Sequence, residues 1–201
     1  MILKLFGKRD TVPIFPLGTV LFPGGILPLR IFEVRYVEMA KDCLKEGTPF
    51  GVCLIREGAE VGAPAVPEPV GCLARLGEVD AAELGILKVR AEGLERFRIV
   101  ASEVNRDGLV VGRVEDLHPE PAVADAPGME QCVEFLRKVI AGIGAERFAQ
   151  PYRFEDATWV SFRLAEILPL RMDVKQKLLE LTDATLRLGI LHKFLQQQKL
   201  I

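Results

Sequence analysis

The sequence predicts an α+β protein: an N-terminal, antiparallel, barrel-like β unit carrying one helix, followed by a C-terminal bundle of about four helices. Three observations predict it. Up to Leu117, short apolar runs are punctuated by glycine, proline and one Asn-Arg-Asp-Gly turn, the pattern of a small closed or half-closed antiparallel sheet. From His118 to Gly128 the composition shifts to three prolines, with Val123 as the one large apolar residue, which marks a boundary. After Met129, apolar residues recur at helical spacing. The expected units are a β-rich domain over 1–118, a linker over 119–128 and a helical bundle over 129–201.

Residues 1–10 are expected to form a loosely held arm. The stretch from Val12 to Phe32 organises the chain. It sets Pro13, Pro16, Pro23 and Pro28 among large apolar residues, so it is neither a helix nor a plain central strand. Short strands are expected at Pro13–Phe15 and Ile26–Phe32, with Pro23-Gly24-Gly25 turning the chain between them. Leu21 and Phe22 are unusual for a loop. Either the loop packs beneath the domain, or it presents an apolar surface to a partner.

Glu33 to Glu46 predicts a helix, with Tyr36, Val37, Ala40, Cys43 and Leu44 on one side and Gly47 as its stop. Pro49 to Ile55 reads as a buried strand, and Glu57 to Glu68 as a mobile surface loop. Val70 to Val79 is a strand, Asp80 to Glu83 a tight connection, and Leu84 to Arg90 another strand. Ala91-Glu92-Gly93 turns or bulges the chain before it continues over Glu95 to Val104. Arg96-Phe97-Arg98-Ile99 alternates charged and apolar groups, as a half-buried strand does. Asn105 to Gly108 is the clearest hairpin signal, returning Leu109 to Leu117 as the partner strand.

Four helices follow, over Met129–Ile143, over Asp156–Leu168, from Asp173, and from Thr182 or Asp183 onward. Asp173 with Gln176 three residues on has the spacing of a capping box. In the last helix, Leu186, Ile190, Phe194 and Leu195 form an apolar stripe that Leu188 and Leu191 widen.

Composition narrows the function classes. The 201 residues carry 49% hydrophobic and 27% charged side chains and a net charge of −2, which gives no global pull towards polyanions. Cys43, Cys53, Cys72 and Cys132 are dispersed without a Cys-x-x-Cys pair, as reduced thiols of a cytoplasmic protein are. His118 and His192 fall in different units, which argues against a shared metal site. The N-terminus lacks the pattern of a signal peptide, and no apolar run approaches the ~20 residues of a membrane span.

A catalytic set is not found. The one Gly-Lys, Gly7-Lys8, lacks the rest of a phosphate-binding loop. Ser102 and Ser161 lie in regular, apolar-patterned elements with no marked base. The expectation is a protein without enzymatic activity, cofactor or metal. Arg30, Arg35, Arg75, Arg90, Arg96 and Arg98 leave two readings open. They pair with Glu33, Glu78, Glu92 and Glu95, or they line a polyanion groove. Base-stacking aromatics are not interleaved with them.

The order Pro-Ile-Phe-Pro-Leu, Leu-Phe-Pro-Gly and Leu-Pro-Leu-Arg-Ile-Phe-Glu-x-Arg-Tyr over residues 13–36 resembles the opening of the Lon protease N-terminal, substrate-binding domain. It is most similar to small stand-alone bacterial proteins built from that domain. Val70–Leu76, Val89–Ile99 and Lys175–Leu191 fit in the same order, so the resemblance spans nearly the whole chain. It implies a PUA-like barrel followed by helices. It also implies engagement of unfolded or extended polypeptide segments, in connection with a protease system, without the ATPase and peptidase parts. The counterpart would be an apolar groove on the barrel or between barrel and bundle. Leu21, Phe22, Ile26 and Leu27 are its expected lining, with Arg30 and Arg75 as rim charges. The alternative is an RNA-binding module using the barrel.

Overall fold

The computed structural model describes residues 11–83 and 85–201. The expected arm over 1–10 lies outside the described residues, as does Leu84. Among the described residues are seven strands and five α-helices. The strands are β1 (Thr11–Leu17), β2 (Ile26–Ile31), β3 (Phe50–Glu57), β4 (Val66–Pro67), β5 (Val70–Glu83), β6 (Ile86–Val104) and β7 (Val110–Asp116). The helices are α1 (Val34–Glu46), α2 (Met129–Ile143), α3 (Ala157–Ile167), α4 (Met172–Glu180) and α5 (Ala184–Gln197). The α+β class holds, with one helix in the β part and four after it.

The strand order β1-β7-β6-β5-β3 is antiparallel throughout, and a β1–β3 pairing closes it into a ring. That last pairing is parallel, from Ile14↔Gly51 to Leu17↔Leu54. A parallel pair needs a long crossover, and β2 with α1 supplies it. The same geometry explains the prolines of β1. Residues 11–14 pair with β7 and residues 14–17 with β3. Pro13 and Pro16 therefore each have a partner strand on one side alone, the placement proline tolerates.

β6 is one continuous strand, not two joined by a turn. It pairs with β5, β7 and, through residues 87–92, with β2. Its partner β5 runs on to Glu83, beyond the strand end expected at Val79, and Glu83 pairs with Ile86. An extra residue interrupts the β5–β6 register between Cys72↔Arg96 and Ala74↔Gly93. This bulge re-aims the side chains around it. Phe97 turns into an apolar cluster with Ile14, Cys53, Leu73 and Val110, while its neighbour Arg96 turns towards the helices. Both are buried, so the strand is covered on both faces at this point, while Arg98 is exposed as the alternation predicts.

A single apolar cluster joins the sheet to the helices: Val20, Phe22 and Val70 pack with Leu136, Val160, Phe162, Leu179 and Leu188. Segment 119–128 is fastened to the same seam. The Val123 N–H donates to Asp156 Oδ1 at 3.1 Å, and the Thr158 hydroxyl donates to the Pro121 carbonyl at 2.9 Å. Glu120 is buried between two arginines, 2.7 Å from Arg96 Nη2 and 2.6 Å from Arg187 Nη2.

Two helix details differ from expectation. Arg171, not Asp173, precedes α4 as its N-cap residue, and the side chain of Gln176 is turned inwards to donate to the Val70 carbonyl at 3.0 Å. The sheet's need for a donor there overrides the capping pattern. In α5, Asp183 is the N-cap as expected, accepting from the Leu186 N–H. The buried side is Ala184, Arg187, Leu188, Leu191 and Leu195, while Leu186 and Ile190 face outwards. The inward pull of Arg187 to Glu120 fixes this rotation.

Candidate functional site

The loop between β1 and β2 decides where a site can lie. Phe22 is 0% and Leu21 4% exposed. The Phe22 ring packs at 5.9 Å, tilted, against Phe162 of α3, and Leu21 joins the cluster beneath α1. The backbone of this loop docks on Gly93 of β6: the Gly24 N–H donates to the Gly93 carbonyl at 2.8 Å, and the Gly93 N–H to Gly25 at 2.8 Å. A Cβ on Gly93 would stand 2.3 Å from the Phe22 carbonyl oxygen, so glycine is required there. From the helical side, Arg163 donates to the carbonyls of Pro23 and Gly24. Leu21 and Phe22 are thus core residues, which corrects their expected role as groove lining.

The strand after this loop is an edge. Among the described residues, β2 pairs with β6 alone. Since Gly25 bonds Gly93, the alternation of an antiparallel ladder aims the backbone groups of residues 26, 28 and 30 away from β6. Ile26 fits this, as its N–H meets the Glu166 carboxylate. Pro28 has no N–H to offer and blunts the edge. Burial pushes the Glu166 carboxyl up, against the opposing pull of Arg163, whose guanidinium lies 3.2 Å away.

Beside this edge runs a groove of about 580 Å³. Ile26 and Pro28 form its sheet wall, and Ile143 of α2, Ile167 of α3 and Phe148 of the connection between these helices form the opposite wall. Arg90 crosses one end to the Glu146 carbonyl. Ile143 is 42% exposed, leaving apolar surface open at the mouth. Along β6 the exposed face continues from Arg90 to Glu92 and Leu94, which line a second cavity of about 330 Å³ between the sheet and the segment 149–159.

The expected site residues are therefore dispersed. Ile26 lines the groove. Leu27 and Arg30 border a separate depression of about 290 Å³ with Phe32 and Val61, and Pro28 borders both. Arg75 is exposed and pairs with Glu92 at 3.0 Å. Ile143, Phe148 and Ile167 carry no sequence signal of a site, because a terminal isoleucine of an amphipathic helix reads as core and nothing distinguishes Phe148.

Most of the barrel arginines are engaged at scattered places. Arg35 pairs with Glu33 at 2.8 Å, Arg75 with Glu92, and Arg96 with Glu120. Each of these three is thus committed to a carboxylate. The Ser161 hydroxyl donates to the Thr158 carbonyl and accepts from Arg187 Nε at 2.9 Å, so a cation rather than a base faces it. All four cysteines are buried free thiols. Among the described residues, no cluster of three or more His, Cys, Asp or Glu forms, and no helix is long and apolar enough to cross a membrane.

Comparison with known proteins covers the same residues. The family model of the ATP-dependent protease La (LON) substrate-binding domain matches residues 11–197. Lon protease 2 of Myxococcus xanthus is 26% identical over 97% of this chain and 25% of its own length. Lon protease of Anaeromyxobacter dehalogenans is 24% identical over 97% of this chain and 24% of its own. The chain thus spans about a quarter of these curated relatives. The crystal structure of a Lon N-terminal domain protein from Xanthomonas campestris superposes with a TM-score of 0.75 at 35% identity, covering 90% of this chain and 96% of that one. The N-terminal domain of the Mycobacterium avium complex Lon protease gives 0.65 at 19% identity, covering 90% and 95%, and supports the fold alone.

Proposed function

Because this chain belongs to the family of the Lon protease substrate-binding domain, we propose that it is a non-catalytic polypeptide-binding unit that holds extended segments in the groove between β2 and the helices. The observation that carries this reading is the conjunction of an edge strand with an apolar trough alongside it. A chain laid along β2 meets outward backbone groups at Arg30 and the carbonyls of Ile26 and Pro28. Its side chains reach Ile143, Phe148 and Ile167. Such a site recognises unfolded sequence by main-chain bonding and non-specific apolar contact, and needs no nucleophile. Glu166 occupies the Ile26 N–H in the free protein, so an incoming strand competes with it at that end. The partner belongs to a protease system at the level the family gives, and the unit works in the cytoplasm.

The test is binding of a reduced, alkylated and fluorescently labelled globular protein, read by anisotropy. Ile143→Asp should weaken binding at least tenfold while the far-ultraviolet circular dichroism stays unchanged. Val104→Asp, an exposed apolar position on the ring far along β6, should bind as the wild type does. Equal binding by all three proteins would reject the groove.

A further inference from the structure

We propose that a polypeptide held along β2 is gripped on both of its faces, with successive side chains entering the groove and the depression in turn, so that the segment selected is apolar at consecutive positions; this rests on the polypeptide-binding reading. β2 separates the two spaces. Ile26 and Pro28 border the groove of about 580 Å³. Leu27, Leu29 and Ile31 alternate with them, point to the opposite face and line the depression of about 290 Å³. The register with β6 agrees. Ile26 and Pro28 share a face with Glu92 and Arg90, whereas Leu27 and Leu29 share theirs with Ala91 and Val89 of the apolar cluster under α1.

A residue that pairs across an edge projects to the same face as the residue opposite it. A strand added to β2 therefore sends the side chains opposite Ile26 and Pro28 into the groove, and those opposite Leu27 and Leu29 into the depression. The depression suits apolar groups as the groove does. Leu29 and Ile31 are buried at its floor, while Phe32 and Val61 stand more than half exposed at its mouth. Of the charged residues around it, Glu33 pairs with Arg35 at 2.8 Å and Glu60 accepts from the Gly18 N–H at 2.6 Å. Arg30, by the alternation of β2, projects to the other face.

The selection follows from this geometry. A segment that alternates apolar and polar residues has all its apolar side chains on one face, where the groove spans two positions of β2 and the others stay in water. A run of four apolar residues places two side chains in each space. Such runs form the central strands of sheets covered on both faces, which are hidden in a folded protein and exposed in an unfolded one. The occupant is a central-strand segment of an unfolded protein.

Two labelled twelve-residue peptides of identical composition test the order of residues apart from their hydrophobicity. One carries Val-Ile-Val-Ile as a block, and the other has the same four residues alternating with serine. Read by anisotropy, the block peptide should bind about tenfold more tightly, as the cover of two further apolar side chains implies. Val61→Asp and, independently, Phe32→Ser, each checked for an unchanged melting temperature, should bring that ratio to about one through loss of block-peptide affinity. Val104→Asp should preserve the ratio. Equal affinity of the two peptides for the wild type, with both weakened by Ile143→Asp, overturns the two-faced grip and leaves the groove standing. A ratio that survives both Val61→Asp and Phe32→Ser overturns the grip as well. Failure of both peptides to bind, or binding that Ile143→Asp does not weaken, removes the groove reading and the grip with it.

Discussion

Arg163, on α3, donates from Nη2 to the Pro23 carbonyl at 2.7 Å and so fastens the first loop of the ring to the helical layer. Its side chain is buried, lies within 3.2 Å of Glu166, and also serves the Gly24 carbonyl. One guanidinium fork thus holds a loop and a carboxylate together, a task that suits its planar set of donors.

Replacing Arg163 with methionine strands two carbonyls and the Glu166 carboxylate. The expected cost is about 3–5 kcal/mol, read as a lower urea midpoint. Arg163→Lys should recover less than half of it, since an ammonium cannot bond both carbonyls and the carboxylate in the same plane.

Glu120 bridges Arg96 of the sheet and Arg187 of α5, and all three side chains are almost wholly buried. Removing its charge leaves two guanidiniums buried against each other. Arg96 is already pushed down by burial, with Glu120 opposing that push. Glu120→Gln should therefore cost about 3–5 kcal/mol in chemical denaturation. A loss under about 1 kcal/mol would show that the seam is not held by this triad.

Phe22→Asp and Ile143→Asp should part company. The first buries a carboxylate against Phe162 and should leave no cooperative melting transition. The second changes an exposed position and should melt within a few degrees of the wild type.

Gly71 lies under the Phe97 ring, and a Cβ there would stand 2.4 Å from the Val52 carbonyl oxygen and 2.9 Å from Phe97 Cζ. Both neighbours are fixed by the ring of strands. Gly71→Ala should cost about 1–3 kcal/mol from overpacking. Gly142→Ala, where a Cβ meets nothing, serves as the neutral or stabilising control in the same denaturation series.

The thiols report the integrity of the core. Burial pushes Cys132 up to about 11, and moves Cys53 and Cys72 upwards too. At pH 8 roughly one Cys132 in a thousand is thiolate in the folded protein, against about a quarter of an exposed thiol with the usual pKa near 8.5. Labelling by a disulfide reagent should be slow in buffer and complete within seconds in denaturant. Fast labelling in buffer would contradict the buried placement.

The sequence showed the elements well where local chemistry sets them. Gly47 ends α1 in the left-handed region, Asp183 caps α5, and Asn105–Gly108 turns β6 into β7. It misled where a distant group overrode a local pattern. Gln176 leaves its capping position to reach Val70, and Arg187 rotates α5 to reach Glu120. The site was harder still. Of the residues expected to line it, Ile26 alone reaches the groove, because apolar residues in a loop look alike whether they bind a partner or the chain's own helices. Periodicity along one element cannot reveal that Ile143, Phe148 and Pro28 converge from a helix end, a connection and a strand on one trough.

The parallel β1–β3 closure also sets when the ring can exist at all. Ile14 must meet both Gly51 and Val110, so the strand synthesised early can pair with β3 but waits for the last strand of the sheet before both of its edges are satisfied. During that interval the nascent protein carries two open β edges of its own, and it is itself an extended, apolar polypeptide of the class its groove is proposed to hold.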